Sequence, residues 1–315
     1  PENQDLARGL LSAKLFRADG SALGDLHGRS IRTSFGQANP ATLEGDSVVV
    51  LSTGIAADAT QLDPGPNGGA PAGFEVSNMH DPVSEVDIST CTLPGCISDW
   101  FSAPNPPLKP ADALPTAPGC PPPTFGDAKL AHDSVMLRLV MRAPTNAKAL
   151  SFNVYFLSAE YPEFVCSSFN DQFAVLIDTP SGAPSAANPS DKNLLTYSQG
   201  GEQWPVGINV AHGTNLFSVC ESEAANPTCW DVDLDSQSCQ LGPAQLAGTG
   251  FEKATTGSCL IGGATSWLTT QGNVVPGQNV EIRIVIWDVG DKNLDSTALI
   301  DGFEWKQDSV NAGTM

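Results

Sequence analysis

The sequence predicts a mainly β protein: an antiparallel β-sandwich of jelly-roll or lectin-like kind, with one short N-terminal helix and long loops pinned by disulfides. Three observations lead there. From Asp133 to the end, strand-length runs rich in β-branched and aromatic residues alternate with turn residues. Already from Ser30, short apolar runs are broken by Gly, Asn, Asp and Pro. The chain also holds eight cysteines, an even number, at positions 91, 96, 120, 166, 220, 229, 239 and 259. None shows the C-x-x-C spacing of a zinc ribbon, so disulfides in an oxidising compartment are the reading.

Asp5 to Lys14 has apolar residues at helical spacing, with Asn3 or Asp5 available as a cap, and predicts the short helix. Val48 to Leu51 is a continuous buried-strand run that Thr53-Gly54 ends. The glycine- and proline-rich stretch Asp63 to Gly69 lacks the G-x-x-x-x-G-K-[ST] pattern of a phosphate loop and reads as a surface turn. Ala103 to Pro123 is dense in proline without apolar period. Cys120 within it predicts an insertion pinned to the body rather than a linker, so residues 1–315 read as one domain with a Pro-rich insertion around 103–123. Ser134–Met141, Leu150–Leu157, Phe173–Ile177, Val280–Trp287 and Ala298–Trp305 read as strands, several apolar throughout, which suits two packed antiparallel sheets.

For the disulfides, the expected pairs are Cys91 with Cys96, Cys229 with Cys239, Cys220 with Cys259, and Cys120 with Cys166.

Charge narrows the function classes. The chain carries 35 acidic and 15 basic residues, a formal net charge of -20. Such a surface repels phosphate backbones and anionic lipid, which argues against nucleic acid as a partner, and favours cations. Acidity also serves solubility alone, so charge by itself does not define a site. No apolar run reaches the roughly 18 residues of a membrane-spanning helix, so direct membrane insertion is not expected.

Two acidic stretches carry the candidate chemistry. Glu160, Glu163, Asn170 and Asp171 lie among aromatic residues between two strand runs, placing oxygen ligands beside rigid backbone. Asp291, Asn293 and Asp295 follow the strand ending at Trp287 with the one-three-five spacing of a calcium loop. Ser296 and Gly302 stand where an EF-hand needs glycine and glutamate, which excludes that loop type. The alternative for both stretches is turn chemistry, Asx side chains bonding their own backbone. Because Ca2+ takes about six to eight oxygens, the two stretches are expected to share one ion at one end of the sandwich. Glu160, Asp171, Asp288 and Asp295 are the expected main ligands, with Asn170, Asp291 and Asn293 secondary. The alternating Asp231, Asp233 and Asp235 read as a solvated strand face.

Catalytic motifs are lacking: G-x-S-x-G and H-E-x-x-H are absent, and the histidines at 27, 80, 132 and 212 have no ligand spacing. His132-Asp133 reads as a surface pair. Glu160 and Glu163 are a carboxylate pair of the kind a glycosidase needs, one that arises by chance in so acidic a chain. Of the six tryptophans, Trp287 and Trp305 read as core, whereas Trp204 and Trp230 are the candidates for exposed sugar-stacking rings.

The run from Ala159 to Phe173, AEYPEFVCSSFNDQF, resembles the signature of the choice-of-anchor L domain, a bacterial cell-surface and secreted domain. Val50-Leu51-Ser52-Thr53-Gly54, Gly65-Pro66-Asn67, Asp81-Pro82, Ile286 to Asp291 and Leu294-Asp295-Ser296 fit the same pattern in the same order. Cys166 departs from it, standing where the family has a small residue such as glycine. The resemblance implies an extracellular or surface location and modular anchoring. The resulting expectation is a non-catalytic, calcium-binding adhesion or matrix domain whose partner is a surface or matrix protein or a glycan. A lectin-like module and a polysaccharide hydrolase are the alternatives.

Overall fold

The computed structural model describes residues 3–5, 9–24, 28–33, 35–36, 44–56, 85–104, 112–116, 119–120, 127–221, 239–251 and 262–315. Trp230, Cys229, Cys259, Asp231 to Asp235, Asp63 to Gly69 and Asp81-Pro82 lie outside the described residues. The strands are β1 (Asn3–Asp5), β2 (Leu10–Phe16), β3 (Arg29–Arg32), β4 (Val48–Ser52), β5 (Glu85–Asp87), β6 (Leu130–Arg142), β7 (Ala149–Ser158) and β8 (Gln172–Asp178). After them come β9 (Thr196–Gln199), β10 (Glu202–Pro205), β11 (Gly263–Ala264), β12 (Leu268–Asn273), β13 (Asn279–Asp288), β14 (Ser296–Lys306) and β15 (Gly313–Thr314). A single α-turn, α1 (Ser98–Ser102), is the α-helix among the described residues, and none of their helices is long and apolar enough to cross a membrane.

All pairings between these strands are antiparallel. A six-stranded sheet runs β1-β2-β6-β13-β8 with β5 also on β6. A seven-stranded sheet runs β15-β12-β7-β14-β4-β3 with β11 also on β7, and β9 and β10 form a separate hairpin. Strands β1 to β5 and β15 thus complete sheets whose centres lie between β6 and β14.

Period-two patterning explains how the sheets share a core. Phe152, Val154 and Phe156 of β7 cluster with Phe173, Val175 and Ile177 of β8 and Ile282, Ile284 and Ile286 of β13. The alternate residues of each sheet are buried too. Ala174, Leu176, Val285 and Trp287 pack with Trp100 and Phe101 of α1, while Tyr155, Leu157 and Leu299 pack with Phe35, Leu246 and Phe251. Coverage on both faces is why these strands read as apolar throughout rather than alternating.

The expected N-terminal helix is a strand instead. A helix of about ten residues is marginal alone, whereas β2 finds a full ladder on β6, pairing Leu15 with Leu137 and Phe16 with Met136. Gly9, at φ 80, ends the segment where a Cβ would stand 2.6 Å from the Arg142 carbonyl oxygen.

Disulfides Cys91–Cys96 and Cys120–Cys166 form as expected. The second pins the proline-rich stretch to the body. Cys220 pairs with Cys239, which overturns both expected pairings that involved them. Loop length had favoured the short Cys229–Cys239 closure, but approach in the fold decides pairing: the Cys220 and Cys239 Cα atoms are 4.9 Å apart.

Buried Arg283 of β13 fastens α1 to its sheet. It donates to the Cys96 carbonyl at 2.6 Å, to Asp99 at 3.0 and 3.2 Å and to Asp178 at 2.7 Å, and Lys192 bridges the same two carboxylates. Replacing Arg283 with Met is expected to cost about 3 kcal/mol, toward the lower end for a broken buried pair because both aspartates retain Lys192 and some solvent. Urea unfolding followed by tryptophan fluorescence measures it, and an unchanged midpoint would show that α1 is held by packing alone.

Candidate functional site: an acidic rim

The site is built where four strand ends meet. Register sets Gln172 opposite Trp287 in one sheet and Ser158 opposite Ser296 in the other. The residues just beyond those pairs therefore emerge together at one end of the sandwich: Glu160 after β7, Asp171 before β8, Asp288 closing β13 and Asp295 before β14. All four are buried, between 0% and 2% exposed.

Asp171 joins the two sheets. Its Oδ1 accepts from the Val289 amide at 3.1 Å and its Oδ2 from the Ser296 hydroxyl at 2.6 Å. Ser296 Oγ also lies 2.9 Å from Ser158 Oγ, and Ser158 Oγ accepts from the Glu160 amide at 3.1 Å. The Ala159 amide donates to the Asp295 carbonyl at 3.1 Å. Strand ends of both sheets thus hold one another through short side chains, and the carboxylates sit inside that frame.

Asp288 and Glu160 lack what Asp171 has. Neither oxygen of Asp288 has a hydrogen-bond partner, nor does Oε2 of Glu160. The Thr53 hydroxyl lies near Asp288 and slightly opposes the rise in its pKa. That hydroxyl accepts from the Ser296 amide at 2.9 Å, however, and makes no well-formed bond to Asp288. The surroundings of Glu160 and Asp288 are acidic: burial first, then Asp171, Asp291, Glu163 and Asp295 hold Glu160 far above the carboxylate range. Burial, then Asp171, Asp295 and Asp133, do the same to Asp288. Burial lifts Asp171 to about 7 against the hydrogen bonds from Ser296 and Val289 and a carboxyl–carboxyl interaction with Asp288, and burial lifts Glu163 also to about 7.

Asp133 belongs to this rim, although His132-Asp133 reads in sequence as a surface pair. The register between β6 and β13 slips between Ile286 and Asp288, so β6 carries an extra residue there, and Asp133 has φ 43. A bulge re-aims its residues. Asp133 is 3% exposed and close enough to act on Asp288. A one-residue bulge leaves no mark in composition, so only its effect on alternation near 132–135 could have hinted at it.

The secondary candidates separate. The Asn170 side chain is a brace, donating to the Pro115 carbonyl and accepting from the Asn209 amide, each at 2.8 Å. Asn293 donates twice to Asp291, from its amide at 2.9 Å and its side chain at 3.2 Å, which is the turn chemistry of the alternative reading. Asp291 nonetheless acts on both Glu160 and Asp171. Trp204, expected to be exposed, is 4% exposed and packs in the shared core from β10. Its neighbour Pro205 closes the buried half of a hairpin strand whose first two residues are exposed, rather than lying in an open loop.

Cys166 has φ 65, the left-handed region where glycine is at ease, so its position keeps the backbone the family pattern implies and adds the tether to Cys120. Tyr161 anchors the same loop, stacked on Phe217 with centroids 4.4 Å apart and lying where a side chain on Gly263 would fall.

The donor set, carboxylate oxygen throughout, fits a hard divalent cation. The shell is not closed: among the described residues, the His, Cys, Asp or Glu grouping with three ligand atoms all within 4.8 Å of one another is Cys120, Cys166 and His212. Its two sulfurs are bonded to each other, which removes it as a metal site. The acidic side chains would have to move to bring three of their oxygens onto one ion.

The family model of the Choice-of-anchor L domain matches residues 131–304, which include every one of these acids and all of β7, β8 and β13. The chain belongs to the choice-of-anchor L domain family. No curated protein and no solved structure matches it. The family is one of surface-associated domains, and the three disulfides among the described residues suit an oxidising, extracellular or surface setting.

Two measurements check this site. Gly54 leaves no room for a side chain, since a Cβ there would stand 1.7 Å from Asp295 Oδ2. Gly54→Ala is expected to destabilise the domain by about 2 kcal/mol through overpacking, and an unchanged melting temperature would show that Asp295 moves aside freely. The second measurement is pH dependence. Asp171 and Glu163 have folded-state pKa values of about 7, above their ordinary 3.8 and 4.5, so between those limits the folded state binds more protons than the unfolded one. Stability of chelator-treated protein should therefore be greatest near pH 4 to 5 and fall as pH rises to about 7. A denaturation series that rises with pH instead would contradict the placement of these acids.

Proposed function

We propose that the domain is a calcium-stabilised, non-catalytic module of the bacterial surface or its secreted matrix, acting in adhesion or matrix assembly. The observation that supports it most directly is the acidic rim. Glu160, Asp171 and Asp288 are buried together from both sheets, orphan oxygens remain on two of them, and no Lys or Arg among the described residues pairs with any of the three. A bound Ca2+ would supply the missing partner, ionise the carboxylates and lock the two sheets at that end. Glu160, Asp171, Asp288 and Asp295 would hold it, with Asp133 close by.

The sandwich would then present its loops to a surface or matrix protein or to a glycan. A sugar-stacking site has less support, because Trp204 is core. A glycosidase site has less still, since Glu160 is buried to 2% exposure and gives a substrate no open face.

Calorimetric titration of chelator-stripped protein is expected to show saturable Ca2+ uptake. Calcium at 100 times Kd should add about 2.7 kcal/mol of stability. Flat heats with an unmoved melting temperature would remove calcium from the reading. Binding to immobilised matrix proteins and to a glycan array, each with and without calcium, would then separate a protein adhesin from a lectin.

A further inference from the structure

We propose that the Cys120–Cys166 disulfide is a site of thiol exchange, where an external thiol attaches to Cys120 and frees Cys166 with the help of His212. This goes beyond the calcium reading and does not depend on it. The two Sγ atoms and a ring nitrogen of His212 all lie within 4.8 Å of one another, and the three residues are half-buried rather than sealed in the core. The approach is close along the backbone too: a Cβ on Gly119, the residue before Cys120, would stand 3.2 Å from His212 Nε2.

The other two bridges among the described residues lack this combination. Cys220 is 1% exposed and belongs to the shared core, its Sγ 3.4 Å from the Tyr161 hydroxyl. Cys96 is 8% exposed, its Sγ 3.1 Å from the Ser98 hydroxyl. Neither of these bridges has a described histidine at the range of His212. Exchange depends on access to a sulfur and on the ease with which the departing thiolate is accommodated, and here both are provided at one bridge.

A thiolate attacks one sulfur in line with the bond to the other. Cys166 packs against the shared core, so the in-line path to it runs through side chains, and Cys120 is the sulfur open to attack. The step forms a bond between the external sulfur and Cys120 Sγ, breaks the Cys120–Cys166 bond and leaves its electron pair on Cys166 as thiolate. As imidazolium, His212 pairs with that thiolate and gives it a proton. A second external thiol then displaces the first from Cys120. In sum two external thiols are oxidised to their disulfide, and the bridge takes up two electrons and two protons to become two thiols.

The bridge also clasps the loop between β7 and β8. Cys166 stands at φ 65, a left-handed backbone that costs any residue with a Cβ, and the tether to Cys120 helps to hold it there. Next to it, the Asn209 side chain donates to the Ser167 carbonyl and the Asn209 amide to Asn170 Oδ1, each at 2.8 Å. Once the tether is cut, Cys166 can return to the ordinary backbone region, and the stretch leading to Asp171 loosens.

Timed reduction of the folded full chain with reduced glutathione, quenched by alkylation and read bridge by bridge through peptide mass mapping, tests this. Cys120–Cys166 is expected to open about tenfold faster than either of the other two bridges, with the mixed disulfide on Cys120. An equal or slower rate would overturn the exchange site, and glutathione found on Cys166 would overturn the direction of attack. His212→Gln should slow this opening about fivefold and leave the other two bridges unchanged, and an unaltered rate would remove His212 from the step. The comparison among bridges in the unaltered chain does not depend on whether that variant folds. Amide hydrogen exchange over residues 163–171 should quicken on opening while that of β13 does not. Unchanged protection, or an equal gain in β13, would overturn the clasp.

Discussion

Burial of carboxylates where two sheets meet is the constraint that organises this molecule. An ionised carboxylate taken from water loses several kcal/mol of solvation unless something in the protein replaces it. Asp171 receives that replacement from the Val289 amide and the Ser296 hydroxyl, one on each side of the β13–β14 connection. Asp288 and Glu160 do not. The sheets are thus joined by one satisfied acid and held next to others that need a proton or a cation, and the strand ends around them must be rigid for such an arrangement to persist.

The double covering of each sheet supplies that rigidity. Were one face solvated, the strand ends at Ser158, Gln172, Trp287 and Ser296 could fray into water at little cost. Instead, α1 with Trp100 and Phe101 seals one outer face, and Phe35, Leu246 and Phe251 seal the other. The Trp100–Trp287 edge-on contact, with centroids 5.6 Å apart, lies one residue from Asp288. Packing on the outside of the sheet therefore fixes the carboxylate at its end. The Cys120–Cys166 bridge and the Asn170 brace do the same for the loop between β7 and β8.

Much of this was legible in the sequence because it is written in local chemistry. The strand runs from Val48 to Leu51 and from Ser134 onward are continuous β-branched and aromatic stretches, and each became a strand with one to five residues added at its ends. That Glu160, Asp171, Asp288 and Asp295 lie together was legible because each stands at or just beyond the end of an apolar strand run. What was not legible depended on distance or on backbone detail. Leu10 to Phe16 has helical spacing, yet an open edge on β6 outweighs a weak local preference. The Cys220–Cys239 pairing depends on where the chain returns after the shared core, Trp204 on which way a hairpin folds over it, and Asp133 on a bulge.

The rim also sets how the domain responds to its surroundings. Protons and a divalent cation are alternatives for the same orphan oxygens, because ligation requires the deprotonated form. In acid, protons neutralise Asp171 and Glu163, which burial lifts to about 7, and the buried rim carries less charge. At neutral pH, on the proposed reading, calcium takes over that role, and calcium modules outside the cell bind in the range of about 10⁻⁴ to 10⁻³ M. Cation-poor conditions at and above neutral pH leave the buried charge exposed to its own repulsion. Because the acids lie at strand ends and not on free loops, that repulsion acts directly on the Ser158–Ser296 and Gln172–Trp287 pairs that close the sandwich. Cation occupancy would therefore be felt as a change in the stability of the whole scaffold, which is how a surface module without a moving part can be conditional on the medium around it.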